Sequence, residues 1–327
     1  MKLKGIYWVL GISLIIISIG GVFLSSAESS QEKNDLSQIG VLHHIAIQGM
    51  PETQIQATTK VLEPAPISRF RKLSDNVSEP NLTAQSAIVV DFATGDILYQ
   101  KNPLDRHQPA SITKLLTATV VDDEYDWGAN TYLTMTQTAF DIYGGNSLQV
   151  GEKFTTEDII RAALMVSSND SAELLAESFG GVENFVAKMN KKAQDLKMDQ
   201  SQFFNSHGLD EKPVSNYSTA ADLIKLIQYM YDNDPELIDV LQQKETFIQS
   251  ESGQSIRLGN TNELLGVMPE MLAAKTGLTD EAGETLSSVV SIQNRILGIV
   301  VLQSGIGGYR FQDTKSLIKW VEDNYSI

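Results

Sequence analysis

The stretch Pro109-Ala-Ser-Ile-Thr-Lys-Leu-Leu-Thr-Ala-Thr-Val-Val121 sets a serine and a lysine three residues apart at the head of a mostly apolar run. The lead-in proline and the run behind it predict a buried helix beginning around Ser111. Residues three apart share one helix face, so Ser111 and Lys114 lie side by side. A serine hydroxyl is a poor nucleophile until a neighbour takes its proton. A lysine whose charge is disfavoured by burial or by nearby cations can be that neighbour. The spacing alone carries little, because Ser30-Gln-Glu-Lys33 and Ser316-Leu-Ile-Lys319 share it.

Two more short motifs follow Ser111 in order. Ser167-Ser-Asn169 falls at a predicted break between helices, where a hydroxyl and an amide can pass a proton and hold a carbonyl. By itself it also reads as a helix cap or turn. Lys275-Thr-Gly277 precedes a strand pattern and supplies a positive charge, a hydroxyl and a glycine that lets a substrate backbone approach. By itself it also reads as an exposed strand end. A literal Ser74-Asp-Asn76 precedes Ser111 and is set aside. Together the three motifs supply an activated serine, a polar relay and a cationic strand edge, the parts of a serine acyl-transfer site.

Working outward, Ala87–Asp91 and Asp96–Gln100 are strand-like and flank a turn containing Thr94-Gly95, which predicts a hairpin. Thr155-Thr-Glu-Asp158 has the form of a capping box before apolar residues at helical spacing. Gly180-Gly181 ends a second helix, and residues 182–197 and 219–231 predict two more. After Lys275, residues 286–290 and 295–302 predict paired strands, and 315–325 a closing amphipathic helix. A hairpin, a helical region, further strands and a last helix make an α+β domain.

The net charge of −16 argues against nucleic acid as a partner, since a phosphate backbone wants a basic face. With no cysteine among 327 residues, disulfide, zinc-thiolate and cysteine-nucleophile chemistry are excluded. Lys2 and Lys4 precede an uncharged stretch from Gly5 to Ala27, long enough to span a bilayer with the lysines inside. Residues 1–27 therefore read as an N-terminal membrane anchor. Ser25-Ser-Ala27 keeps a cleaved signal, and hence a secreted protein, open. Residues 28–82, interrupted by Pro51, Pro64, Pro66 and Pro80, read as an extracytoplasmic linker spanning about 40 Å as a coil. The catalytic domain is expected over 83–327.

Asp91-Phe-Ala-Thr-Gly-Asp-Ile-Leu98 and Pro109-Ala-Ser-Ile-Thr-Lys114 resemble the bacterial serine D-alanyl-D-alanine carboxypeptidases, the low-molecular-mass penicillin-binding proteins. The likeness continues through Val166–Asp170, His207–Asp210, Tyr217–Ala220 and Lys275–Asp280. It implies a β-lactamase/transpeptidase-like fold, with an antiparallel sheet flanked by helices and a helical subdomain. It implies Ser111 as the acylated nucleophile and Lys114 as its base, with Ser167 and Asn169 beside them. Lys275 and Thr276 would lie near the substrate's terminal carboxylate, with Gly277 beside them in the substrate site. The backbone N–H groups of Ser111 and Leu278 would form the oxyanion hole. The implied partners are peptidoglycan stem peptides and, as covalent inhibitors, β-lactams, with no metal or cofactor.

The sequence departs from the family pattern in places. Leu278 stands where many relatives carry a histidine or a hydroxyl, and Arg310 matches poorly the arginine that some carry after the last strand. His43 and His44 fall in the linker, His207 reads as structural, and His107 as a surface residue. The expected reaction is removal of the terminal D-alanine from stem peptides. A D,D-endopeptidase and a silent wall-sensing module are the rivals. A class A β-lactamase ranks low, since no Glu-x-x-Leu-Asn element lies between Ser171 and Lys275.

Overall fold

The structure is a computed structural model and describes residues 67–144 and 148–327. In chain order, β1 (Arg71–Lys72) is followed by the hairpin β2 (Ser86–Asp91) and β3 (Ile97–Lys101). A 3₁₀ turn at Ala110–Ile112 leads into α1 (Thr113–Asp122). The helical region then runs β4 (Tyr132–Thr134), α2 (Gln137–Phe140), β5 (Lys153–Thr155), α3 (Thr156–Met165), α4 (Asn169–Ser178) and α5 (Val182–Asp195). It is followed by α6 (Ala220–Asn233), α7 (Pro235–Gln242) and the small hairpin β6 (Glu245–Gln249) and β7 (Ser255–Gly259). The chain closes with β8 (Met271–Thr279), β9 (Gly283–Ile292), β10 (Arg295–Ser304), α8 (Tyr309–Asn324) and β11 (Tyr325–Ser326).

The main sheet has the order β3-β2-β10-β9-β8, antiparallel throughout. An antiparallel sheet commonly leaves one face to water. Here both faces are covered, and the side-chain alternation divides them. Ile88, Val90, Val289 and Val300 join a core with the helices of the middle of the chain. Ala87, Val89, Val290, Ile299 and Val301 join a second core with Phe311, Leu317, Ile318 and Val321 of α8. Successive residues of a strand point to opposite faces, so the near-continuous apolar runs in β2 and β10 feed two cores at once.

The expected hairpin is present, with Gly95 at φ +72° and the turn pinned by Asp91, which accepts from Ala93 N at 3.0 Å and Thr94 Oγ1 at 2.9 Å. The capping threonine is also present: Thr155 Oγ1 accepts from Asp158 N at 3.1 Å at the head of α3. Two expectations shift. Lys275–Gly277 lies inside β8 rather than ahead of a strand. The last helix starts at Tyr309, six residues earlier than its periodicity suggested, because its first turn is capped by a distant carboxylate described below.

Residues 67–82, within the stretch expected as linker, pack on the body. Arg71 and Lys72 pair with Ser326 and Tyr325, and the Phe70 ring meets Tyr325 edge-on at 6.3 Å. Trp320 Nε1 donates to Ser78 O at 2.8 Å. These anchors are single residues in a polar stretch, so no periodicity announces them. The expected anchor at residues 1–27, the rest of the linker to residue 66, and His43 and His44 lie outside the described residues. Among the described residues no helix is long and apolar enough to cross a membrane.

Candidate active site

The three motifs converge where the head of α1, the α3–α4 junction and β8 meet. Ser111 sits in the 3₁₀ turn and Lys114 in the first turn of α1, and Nζ of Lys114 lies 2.9 Å from Ser111 Oγ. Lys114 is fully buried and also contacts Asn169 Oδ1 and the His207 carbonyl oxygen, each at 2.6 Å. Burial, and then the nearby charge of Lys275, push its pKa well below the usual lysine value, with Asp170 pulling weakly the other way.

Neither Asn169 Oδ1 nor the His207 carbonyl carries a hydrogen, so both must accept from the amine. The Asn169 amide is oriented by its other end, since Nδ2 donates to Tyr143 O at 2.6 Å. A neutral amine has two N–H bonds and one lone pair. With both N–H bonds engaged, the lone pair is left for the Ser111 hydroxyl. The geometry therefore sets an amine lone pair, already oriented, against the Ser111 hydroxyl, as general-base activation of a serine requires.

The α3–α4 junction splits the Ser167–Asn169 motif between two tasks. Ser168 caps α4, accepting from Ser171 N at 3.3 Å. Ser167, at φ +63°, and Asn169 serve the site. The cap reading thus holds for the middle residue. Lys275 Nζ donates to Ser167 Oγ at 2.9 Å and to the Thr276 carbonyl at 3.0 Å. Thr276 Oγ1 lies 2.6 Å from Thr261 Oγ1. Lys275 is fully buried, and burial together with the charge of Arg310 lowers its pKa to about 7.

Gly277 differs from its expected use. A Cβ there would strike Thr285 Oγ1 and lie 3.0 Å from both Ala110 Cβ and Pro109 O. The glycine lets β8 press against the nucleophile's own turn. Leu278, half exposed at the strand end, offers nothing polar from its side chain.

Three contributors were missed or underrated. Arg310, in the first turn of α8, donates from Nη1 to the Gly277 carbonyl at 3.2 Å and is close enough to depress Lys275. Its poor match in sequence position hid this, because the helix brings it back over β8. His207 acts through its main-chain carbonyl. Its ring is buried, accepts from Leu209 N at 3.1 Å and has a pKa lowered to about 3 by burial and then by Lys114, so it stays neutral. Gly208, at φ +84°, leaves room for the Ala110 carbonyl, on which a Cβ would fall. His107, read as a surface residue, is half buried, with Nε2 2.8 Å from Ser86 Oγ.

Ala110 itself holds φ +49°, a conformation costing an alanine about 1–2 kcal/mol. The turn before the nucleophile is therefore held by its neighbours, Gly208 chief among them. Gly208→Ala combines a left-handed backbone with a main-chain clash, so a loss of at least about 2 kcal/mol is expected. Urea denaturation measures it. An unchanged midpoint would show that the turn does not depend on this contact.

The family model described as D-alanyl-D-alanine carboxypeptidase matches residues 74–305. A D-alanyl-D-alanine carboxypeptidase of Bacillus subtilis is 30% identical over 68% of this chain, which spans 58% of that relative's length. A D-alanyl-D-alanine endopeptidase of Escherichia coli is 32% identical over 75% of this chain and 79% of its own. Penicillin-binding protein D2 of Listeria monocytogenes, solved in an ampicillin-bound form, superposes with a TM-score of 0.65 at 29% identity, over 74% of this chain and 99% of that one. With the matched region carrying the serine–lysine pair, the α3–α4 junction and β8, this chain belongs to the D-alanyl-D-alanine carboxypeptidase family.

Proposed function

We propose that the protein is a serine-type D-alanyl-D-alanine carboxypeptidase that trims the terminal D-alanine from peptidoglycan stem peptides outside the cytoplasm. The observation that carries this reading is the hydrogen-bond set of Lys114, which leaves one lone pair facing Ser111 Oγ. In the first half-reaction the Ser111 proton passes to Lys114 Nζ while Oγ bonds to the carbonyl carbon of the penultimate residue. The carbonyl oxygen becomes an oxyanion between the N–H groups of Ser111 and Leu278. The C–N bond then breaks as the leaving nitrogen takes the proton from Lys114 Nζ, and D-alanine departs from an acyl-Ser111 ester with Lys114 neutral again. Water, deprotonated by the same base, hydrolyses the ester and restores Ser111.

The terminal carboxylate belongs beside Lys275, Thr276 and Arg310. Lys275 and Arg310 are two like charges in one place, and among the described residues no carboxylate forms an ion pair with either. Such a pair is arranged for an anionic ligand. Release of D-alanine from a pentapeptide ending in D-Ala-D-Ala tests the reading, and penicillin labelling without such turnover would leave only the wall-sensing module. The endopeptidase rival uses the same groups, and cleavage of a cross-linked dimer at a higher kcat/KM than the pentapeptide would favour it. Residues 1–27 would tether the protein to the membrane, or be removed as a signal.

The pH dependence follows from Lys275. With a pKa near 7, the free enzyme loses this ammonium as pH rises through neutrality. A carboxylate binds the protonated form, so binding above that point must take up a proton. For a carboxylate-ended peptide, kcat/KM is expected to fall toward tenfold per pH unit on the alkaline side. The same peptide ending in an amide should lack that limb. A limb of equal steepness with the amide would assign the titration to another group.

A further inference from the structure

We infer that Glu284 is a positioning residue for substrate recognition: its carboxylate binds the backbone N–H groups at the head of α8 and thereby aims Arg310 at the substrate's terminal carboxylate. The inference rests on the carboxypeptidase reading above and extends it to a residue that no motif marks.

Glu284 lies on β9, directly opposite Leu278 of β8 in the sheet register. Its side chain is buried, and Oε1 accepts from Gly307 N at 2.9 Å and Gly308 N at 2.8 Å, while Oε2 accepts from Arg310 N at 3.1 Å. One carboxylate thus takes up the unpaired N–H of Arg310 in the first turn, that of the N-cap Gly308 and that of Gly307 just before it. α8 has no side-chain cap of its own, and Gly307 and Gly308 sit at φ +115° and +86°. The local sequence therefore does not fix where the helix begins. Glu284 fixes it, from another strand.

The consequence for the site is geometric. Glu284 spends its lone pairs on main-chain N–H groups, and among the described residues it forms no ion pair with the Arg310 guanidinium. The guanidinium is left to reach over β8, where Nη1 holds the Gly277 carbonyl at 3.2 Å. The negative charge stays at the helix head, where the macrodipole favours it. The positive charge stays at the cleft. Burial acts to raise the Glu284 pKa, but the bonds from Gly308, Arg310 and Gly307, with the charge of Arg310, hold it below the usual glutamate value. The carboxylate is thus ionised throughout the neutral range.

The test is a double-mutant cycle of Glu284→Gln and Arg310→Gln in the full-length protein, with peptides ending in a free carboxylate and in an amide. Glu284→Gln keeps the side chain's length and one acceptor oxygen. It is expected to raise KM for the carboxylate peptide about tenfold with kcat within twofold, and to leave kcat/KM for the amide peptide within twofold. In the Arg310→Gln background it should add less than twofold, because the residue it aims is already gone. Glu284→Asp, which retains the charge, should recover part of the loss. A loss that is equal for both peptides, or that multiplies with Arg310→Gln, would overturn the inference and leave Glu284 as a scaffold residue. Stoichiometric penicillin labelling of each variant confirms a folded site. Failure of the wild-type protein to release D-alanine is a separate result, which would fall on the proposed function.

Discussion

Ser111→Ala is expected to abolish labelling by a fluorescent penicillin and to lower D-alanine release by at least about 10⁴-fold. No other group can take its place. The oxygen that would form the acyl bond is gone, and the remaining machinery offers only water a base. The fold should survive, because Lys114 keeps its bonds to Asn169 Oδ1 and the His207 carbonyl and β8 keeps its seat against Ala110. An unfolding midpoint close to wild type, together with absent labelling, is therefore the expected pair of results. The second described Ser-x-x-Lys sequence serves as a control. Lys319 bonds to Asp323 at the surface, not to Ser316, so Ser316→Ala should label like wild type. Labelling that persists in Ser111→Ala would refute the nucleophile assignment.

The parts of this site that were legible in the sequence are those in which chemistry and spacing coincide on one element. Ser111 and Lys114 share a helix turn, so three-residue spacing was enough to place them in contact. Lys275 to Gly277 and Ser167 to Asn169 could be named, but not joined, because the 2.9 Å contact between Lys275 and Ser167 crosses 108 residues. The main-chain contributors were beyond reach in another way. The His207 carbonyl would serve Lys114 equally well from most residue types. Only Gly208, forced by its φ and by Ala110, leaves a mark in the sequence at that turn.

The misplaced start of α8 has the same physical origin. Helix starts are read from a local Ser, Thr, Asp or Asn. Here the cap is Glu284, more than twenty residues upstream on β9. Gly305, Gly307 and Gly308 therefore offer no local start signal, and Arg310 matches poorly the position of the arginine that some relatives carry. The packing of residues 67–82 was hidden similarly, since Ser78 O accepts from Trp320 Nε1 at 2.8 Å and Phe70 meets Tyr325, partners from the far end of the chain that no local pattern reveals. The hairpin β2–β3 was legible because its turn is pinned by its own Asp91.

Lys114→Met is expected to slow acylation by roughly 10³–10⁴-fold, in the range contributed by a positioned general base. Methionine matches the length of the lysine stem and is apolar, so the change removes the lone pair with little change of shape. It also leaves the Asn169 and His207 oxygens without their shared donor, at about 1–3 kcal/mol for each buried acceptor. Against that, it spares the protein the burial of a polar amine beside the Lys275 charge. The unfolding midpoint should consequently move far less than the rate. Lys114→Arg separates charge from basicity, because guanidinium stays protonated at any working pH and has no lone pair to offer. It should acylate as poorly as the methionine variant despite restoring a cation. The acid limb of the wild-type acylation profile, which reports protonation of Lys114, should vanish in both. Stopped-flow acylation by a chromogenic β-lactam from pH 5 to 9 measures all three. Were Lys114→Arg to acylate within tenfold of wild type, the lysine would be acting as a charge rather than a base, and the Ser111 proton would have to leave by another route.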